Sequence, residues 1–366
     1  MKVLSITPTY FPKVGGIESF VRELAIRTSV AGTTVDVAHL SADYTDFSRE
    51  EVDDIGVFRV PVSGNRLVGY ARGLGELARN YDLLHVHDPQ LMMVTGNVRL
   101  QCGQVPAVLS THGGFLHTRQ HRAMKSIHEK LVMRKMLRHY RRILADSQAD
   151  AEYFRRFSDN VEKCECGIDF DKFQHGRTVG QPDPTRWICW GRWANNKRID
   201  AVIDAVALAR DNGIAIDLLI CGPDFDNLGP SLRAKIEALK LGGAVKMHPY
   251  IENDALLKEL QQRSVYITGT EYEGFGIGIN EALAAGKIAV CRDIAPINDF
   301  VEASKTGFFI KFDGSAGDLA TIREITNLPP TRVAAMAAAA QQSARRYDWN
   351  TVAQNFSRQY EKALSV

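Results

Sequence analysis

The chain has no apolar run approaching the roughly 20 residues that a membrane-spanning helix requires. Its first residues, Met1-Lys2-Val3-Leu4-Ser5-Ile6, read as a strand rather than as a charged leader followed by an apolar stretch. The expectation is a cytoplasmic protein. Six cysteines are scattered at 102, 164, 166, 189, 221 and 291. The one close pair, Cys164-Glu165-Cys166, has a spacing unlike that of zinc sites, so reduced thiols fit better than disulfides or a metal centre. No Gly-x-Gly-x-x-Gly follows the first strand, which argues against a dinucleotide-dependent dehydrogenase. There is no repeat of solenoid length and no low-complexity tract beyond an alanine-rich helix at 333–340. A net charge of +2 with no aromatic stacking platform gives no reason to expect nucleic acid as a partner.

What is present is a regular alternation of short apolar strands with amphipathic helices in both halves, the pattern of an α/β protein with parallel sheets covered on both faces. Strands are expected at 2–7, 34–40, 56–61, 83–87, 106–111 and 142–146, then at 186–191, 215–221, 244–248, 264–268, 287–291 and 307–311. At 366 residues the chain exceeds the size at which one core usually divides. The expected organisation is a first domain over 1–173, a linker over the polar, Gly- and Pro-containing stretch 174–185, a second domain over 186–346, and a C-terminal helix over 347–366.

The richest stretch runs from Glu271 to Gly286. Glu273 and Glu281 stand on either side of a loop with glycines at 274, 276 and 278, which leads into a short apolar helix ended by Gly286. Glycines let a backbone approach a ligand closely, and the first amides of a helix attract anions and polar oxygens. Both carboxylates can then face one crevice and accept hydrogen bonds from sugar hydroxyls. The local spacing alone also fits a plain strand-to-helix turn with a solvated Glu281. Upstream, Trp190-Gly191-Arg192-Trp193-Ala194-Asn195-Asn196-Lys197 follows the strand at 186–191 and precedes a helix with Ile199, Val202, Ile203 and Val206 on one face, which puts Arg192 and Lys197 on a strand-to-helix loop. Arg offers a planar fork and Lys a mobile point charge for a departing diphosphate.

Glu-Gly-Phe-Gly followed by Asn-Glu-Ala-Leu-Ala-Ala-Gly resembles the donor site of the retaining glycosyltransferases of family 4, and the similarity extends over essentially the whole chain. The resemblance implies the GT-B fold, two Rossmann-like domains facing each other across a cleft, with the final helix returning to the first domain. It places the transferred sugar on Glu273 and the amides of Gly274, Phe275 and Gly276, the nucleotide ribose on Glu281, the diphosphate on Arg192 and Lys197, and the base near Ile251. In the first domain it sets Gly15 and Gly16 toward the diphosphate and acceptor, and His112, by its ring or its backbone, against the sugar. His85 and His87 read as structural. Asp88 is a weaker candidate for orienting an acceptor.

Gly-Arg-Trp-x-x-Asn-Lys, Tyr-Glu-Gly-Phe-Gly and Asp293-Ile294-Ala295-Pro296 look like the mannosyltransferases of bacterial exopolysaccharide and lipopolysaccharide assembly. That resemblance favours GDP-mannose as donor and a lipid-linked glycan as acceptor, with a UDP-sugar donor, a nucleotide-sugar epimerase and a non-enzymatic sugar-nucleotide-binding protein as alternatives. No cofactor is implied: two side-chain cations can do the work of a metal ion, and no pronounced Asp-x-Asp metal motif is expected near the cleft. Residues 117–142 carry nine Arg or Lys, four His and a single acid, Glu129. Apolar positions interleave at helical intervals, so the segment reads as a basic amphipathic helix. Arg119, Arg122, Lys125, Lys130 and Arg134 are its candidates for gripping an acceptor diphosphate or the inner face of the cell membrane, while a helix packed on the domain with a solvated basic side fits the same pattern.

Overall fold

The computed structural model describes residues 1–12, 15–30, 32–64, 69–87, 92–113 and 133–365. The chain folds as two compact units, Met1–Gly167 with Trp349–Val366, and Ile168–Asp348.

The first unit is built on strands β1 (Lys2–Thr7), β2 (Thr34–Ser41), β3 (Ser48–Val52), β4 (Ile55–Gly64), β5 (Gly69–Ala71), β6 (Leu83–His87), β7 (Ala107–Ser110), β8 (Arg142–Ala145) and β9 (Val161–Lys163). They pair in the order β3-β4-β2-β1-β6-β7-β8-β9, with β5 against β4. From β4 to β9 every pairing is parallel, and β3 and β5 join antiparallel. The central strands are buried without alternation because helices cover both faces of a parallel sheet; Val3, Leu4, Ile6, Leu84 and Val86 have no exposed surface. The helix Gly16–Val30 buries Phe20, Val21, Leu24 and Ala25, which fall on one face at helical spacing, with Ile17 half-buried beside them. The helix Trp349–Leu364 belongs to this unit: Phe356 and Tyr360 are fully buried, and the Tyr360 hydroxyl lies 2.8 Å from His85 Nδ1.

The second unit has β10 (Arg186–Trp190), β11 (Asp217–Cys221), β12 (Val245–His248), β13 (Val265–Ile267), β14 (Ile288–Cys291) and β15 (Gly307–Phe309) in the order β12-β11-β10-β13-β14-β15, all parallel. Its core gathers Trp187, Val202, Ile203, Leu218, Ile220, Val265, Ile267, Ile288 and Val290. The chain leaves β10 toward β11 on one side, and β13 lies on the other. Strand order therefore reverses between β10 and β13, the position at which open α/β sheets bind ligands.

The segment 174–185, expected as a linker, is part of this second unit. The Val179 amide donates to Gln261 O, and Thr178 Oγ1 donates to the carbonyl of Arg263 at 3.0 Å. Lys287, fully buried, extends its ammonium to Thr178 Oγ1 and to the carbonyls of Leu260 and Arg263 at 3.0, 2.6 and 2.7 Å, which ties that segment to the sheet.

Candidate functional site

In the second unit the two motifs, more than 70 residues apart in sequence, meet at the point where strand order reverses. The loop Gly191–Arg198 leaves the end of β10 and the loop Thr268–Gly276 leaves the end of its neighbour β13. Lys197 Nζ is ion-paired with Glu273 Oε1, both side chains partly covered. The amide of Glu271 donates to Asn196 O at 3.0 Å, and the Asn196 side chain donates to Tyr272 O at 3.2 Å. Gly269 permits this approach: a Cβ there would lie 2.6 Å from the carbonyl of Arg198.

The Gly191–Arg198 loop is pinned from its other side. Gly191 and Gly222 both have φ near +130°, and a Cβ on Gly222 would stand 2.0 Å from Gly191 O. The Trp193 amide donates to Pro223 O, the amides of Phe225 and Asp226 donate to Trp193 O, and Asp226 Oδ2 accepts from both the backbone and the side chain of Asn195 at 2.8 Å. Arg192 lays its guanidinium over the exposed Phe225 ring, 5.0 Å from the centroid.

Gly276, with φ +87°, opens the helix Ile277–Ala284, whose first amides have no acceptor within the helix. Phe275 is buried against Tyr347 and Phe300, so only its backbone faces outward. Glu281 keeps some exposed area, yet its carboxyl is covered enough that burial pushes it up to about 7, against the pull of the Trp190 indole and the Lys172 ammonium. Lys172 also donates to Asn253 Oδ1 at 2.9 Å, at the start of the helix Asn253–Gln261, two residues beyond the half-buried Ile251.

In the first unit, Gly15 and Gly16 follow β1 and begin the helix Gly16–Val30, with Glu18 folded back toward Gly15. His112 follows β7 and Asp146 follows β8. The structure buries His85 and His87 fully, and that burial lowers both well below the usual histidine range. His112 has φ +49°, a left-handed conformation rare outside glycine, and its side chain is 9 % exposed. Asp88, Arg119, Arg122, Lys125 and Lys130 lie outside the described residues. Arg134 opens the short helix Arg134–Leu137 and donates to Arg156 O at 3.3 Å, while Met136, Leu137 and Tyr140 beside it are buried.

Two family models match the chain, one described as Glycosyltransferase Family 4 over residues 14–172 and one described as Glycosyl transferases group 1 over residues 171–342. The chain belongs to the family 4 glycosyltransferases. Among relatives of this glycosyltransferase, the GDP-mannose:cellobiosyl-diphosphopolyprenol alpha-mannosyltransferase of Komagataeibacter xylinus is 27% identical across 100% of this chain and 94% of its own. The protein of the same name from Xanthomonas campestris is 26% identical across 100% and 98%, and the phosphatidyl-myo-inositol mannosyltransferase of Mycobacterium tuberculosis is 25% identical across 99% and 97%. Solved structures share the GT-B fold. A glycosyltransferase from Rickettsia africae superposes with a TM-score of 0.77 at 15% identity over 99% of this chain and 98% of its own. Anabaena HepE in complex with UDP and glucose superposes with 0.73 at 16% over 99% and 100%.

Several residues around the site are ones to which the sequence assigned no role. Trp190, Lys172 and Asp169 surround Glu281, and Phe225 and Asp226 brace the loop of Arg192. Of these only Trp190 carried a local signal, as an aromatic residue at the end of an apolar strand directly before Gly191. Among the described residues no group of three or more His, Cys, Asp or Glu could hold a metal ion, and no helix is long and apolar enough to cross a membrane.

Proposed function

We propose that this glycosyltransferase is a retaining mannosyltransferase that moves mannose from GDP-mannose to a hydroxyl of a glycan carried on a lipid diphosphate. The observation that carries the donor and acceptor is the end-to-end match to relatives named for GDP-mannose and diphosphopolyprenol. In this reading the diphosphate takes Lys197 from Glu273 and draws Arg192 off Phe225, which leaves the Glu273 carboxylate to accept from the sugar's hydroxyls. The amides at Gly274–Gly276 add donors, and Glu281 accepts from the ribose.

The sugar C1–O bond to phosphate breaks, the acceptor oxygen bonds to C1 from the same face, and the acceptor proton passes to the departing phosphate oxygen. GDP and the mannosylated acceptor result. Arg192 and Lys197 stabilise charge that grows on the leaving group, which is where preorganised cations lower a barrier most. Both cations belong to the chain, so in this reading the reaction needs no divalent ion, and EDTA should leave the rate unchanged.

A UDP-sugar donor is the second reading, since Anabaena HepE, which shares the fold, holds UDP and glucose. Calorimetry with GDP, UDP, GDP-mannose, UDP-glucose and UDP-N-acetylglucosamine separates the two. GDP and GDP-mannose should bind, with slow release of mannose. Preferential binding of UDP would overturn the mannose assignment and keep the transferase.

A further inference from the structure

The ends of β6, β7 and β8 enclose a polar cluster that the reaction scheme does not use. His87 Nδ1 lies 3.0 Å from His112 Nε2, with the rings stacked at 5.2 Å and 24°. His112 Nδ1 faces Asp146 Oδ2 at 3.5 Å. The edge of Phe20 packs on the His112 ring at 4.9 Å. Within the cluster, His87 Nε2 and Asp146 Oδ1 are buried with no hydrogen-bond partner among the described residues.

With His112 in its neutral form, proton bookkeeping selects one arrangement. His87 and His112 share a single hydrogen bond, so one nitrogen carries the proton and the other accepts it. The Asp146 carboxylate favours a proton on His112 Nδ1, which in the neutral ring leaves Nε2 as an acceptor. Burial keeps His87 neutral, so His87 Nδ1–H is the donor. The ring of His112 is thereby occupied at both nitrogens and held on its face, while its backbone and that of Gly113 follow with consecutive φ values of +49° and +66°.

We propose that Asp146 and His87 are positioning residues for His112: they lock its ring inward in the Nδ1–H tautomer and so fix the left-handed backbone of His112–Gly113. The proposal rests on the transferase reading and adds two residues to it. Left-handed backbone at a non-glycine residue persists where its surroundings over-determine it, and the clamp on both ring edges does so here.

Nitrogen-15 NMR of the full chain with labelled histidine reads the tautomer directly. The parent should show His112 protonated at Nδ1. Asp146→Asn, whose amide can donate to Nδ1, should invert His112 to the Nε2–H form and pass the inversion on to His87. In turnover of GDP-mannose the same variant should lose about tenfold or more in kcat with KM for the donor nearly unchanged. His87→Asn keeps a donor near the position of Nδ1 and should retain most of the rate, whereas His87→Leu should lose as much as Asp146→Asn; this pair carries the test if Asp146→Asn does not fold.

An unchanged His112 tautomer in Asp146→Asn, a kcat within about twofold of the parent, or equal losses in both His87 variants would overturn the proposal. Parental turnover in His112→Ala would instead remove His112 from the site, and the proposal with it, while GDP affinity would still report on the donor reading of the other unit.

Discussion

Lys197 and Glu273, 76 residues apart in sequence, form an ion pair across the neighbouring ends of β10 and β13. In the proposed function each holds the other where a donor would find it, and each stands in for part of that donor: the carboxylate for a phosphate, the ammonium for a hydrogen-bonding hydroxyl. Lys197→Ala should weaken nucleoside diphosphate binding and lower kcat/KM by about 10²-fold or more, because it removes charge stabilisation of the leaving group. Glu273→Ala should leave nucleotide affinity largely intact and depress transfer. Calorimetry beside steady-state kinetics separates the two patterns, and parental turnover in both variants would remove the assignment.

Glu281 yields a pH prediction with two signs. Its carboxyl is pushed up to about 7 by burial, and in the proposed function it must be ionised to accept from two ribose hydroxyls. Nucleotide affinity should therefore be full above about pH 7.5 and fall as the pH drops through 7 toward 6. Glu281→Gln should flatten that dependence. For the unliganded protein the sign is opposite. A carboxyl raised from its ordinary value of 4.5 makes ionisation costly in the folded state, so this cost is absent below pH 4.5 and complete above about 7. Glu281→Gln should accordingly raise Tm at pH 8 and not at pH 5, measured without nucleotide.

Gly222→Ala should be among the most damaging single-methyl changes in the second unit. The added Cβ would meet Gly191 O at 2.0 Å, and φ of +133° disfavours any side chain. Destabilisation of about 2 kcal/mol or more is expected from chemical denaturation. Whatever relief the backbone finds displaces Arg192, so kcat should fall even in the molecules that remain folded.

Lys287→Met should destabilise the second unit by about 2 kcal/mol or more, because Thr178 Oγ1 and the carbonyls of Leu260 and Arg263 would lose their shared donor inside the protein. Burial brings the Lys287 ammonium down to about 7 from its ordinary 10.5, so the parent pays for its charge below pH 7 and is relieved as the pH rises from 7 to 10.5. Stability of the variant relative to the parent should thus compare most favourably at low pH, as read from paired urea titrations at pH 6 and 9.

How much of this the sequence held depended on range. The twelve expected strands all form, because uninterrupted apolar runs such as Leu218–Cys221 and Ile288–Cys291 have no other stable place than a covered parallel sheet. Strands β3, β5 and β9 carried no such signal: Ser48–Val52 is exposed over most of its length and pairs only by joining the edge at β4. Glycine motifs announced Glu273, Glu281, Arg192 and Lys197, but not their neighbours. Lys172 reaches Glu281 from over 100 residues upstream, and Asp146 meets His112 only because β7 and β8 are adjacent. Phe275 adds a role that the motif did not name: the resemblance assigns its amide to the ligand, while its ring anchors the loop against Tyr347.

The glycine-on-glycine contact between residues 191 and 222 bears on what a donor spends on arrival. A phosphate-gripping loop that hung free would have to be ordered by the ligand, at roughly 1–2 kcal/mol for each backbone residue immobilised. Here two strand ends abut without side chains between them, and the neighbouring turn is hydrogen-bonded to the loop along its length. If Arg192 and Lys197 grip the donor as proposed, association freezes little more than their side chains, which leaves the intrinsic attraction for the diphosphate available for holding the sugar in its reactive pose.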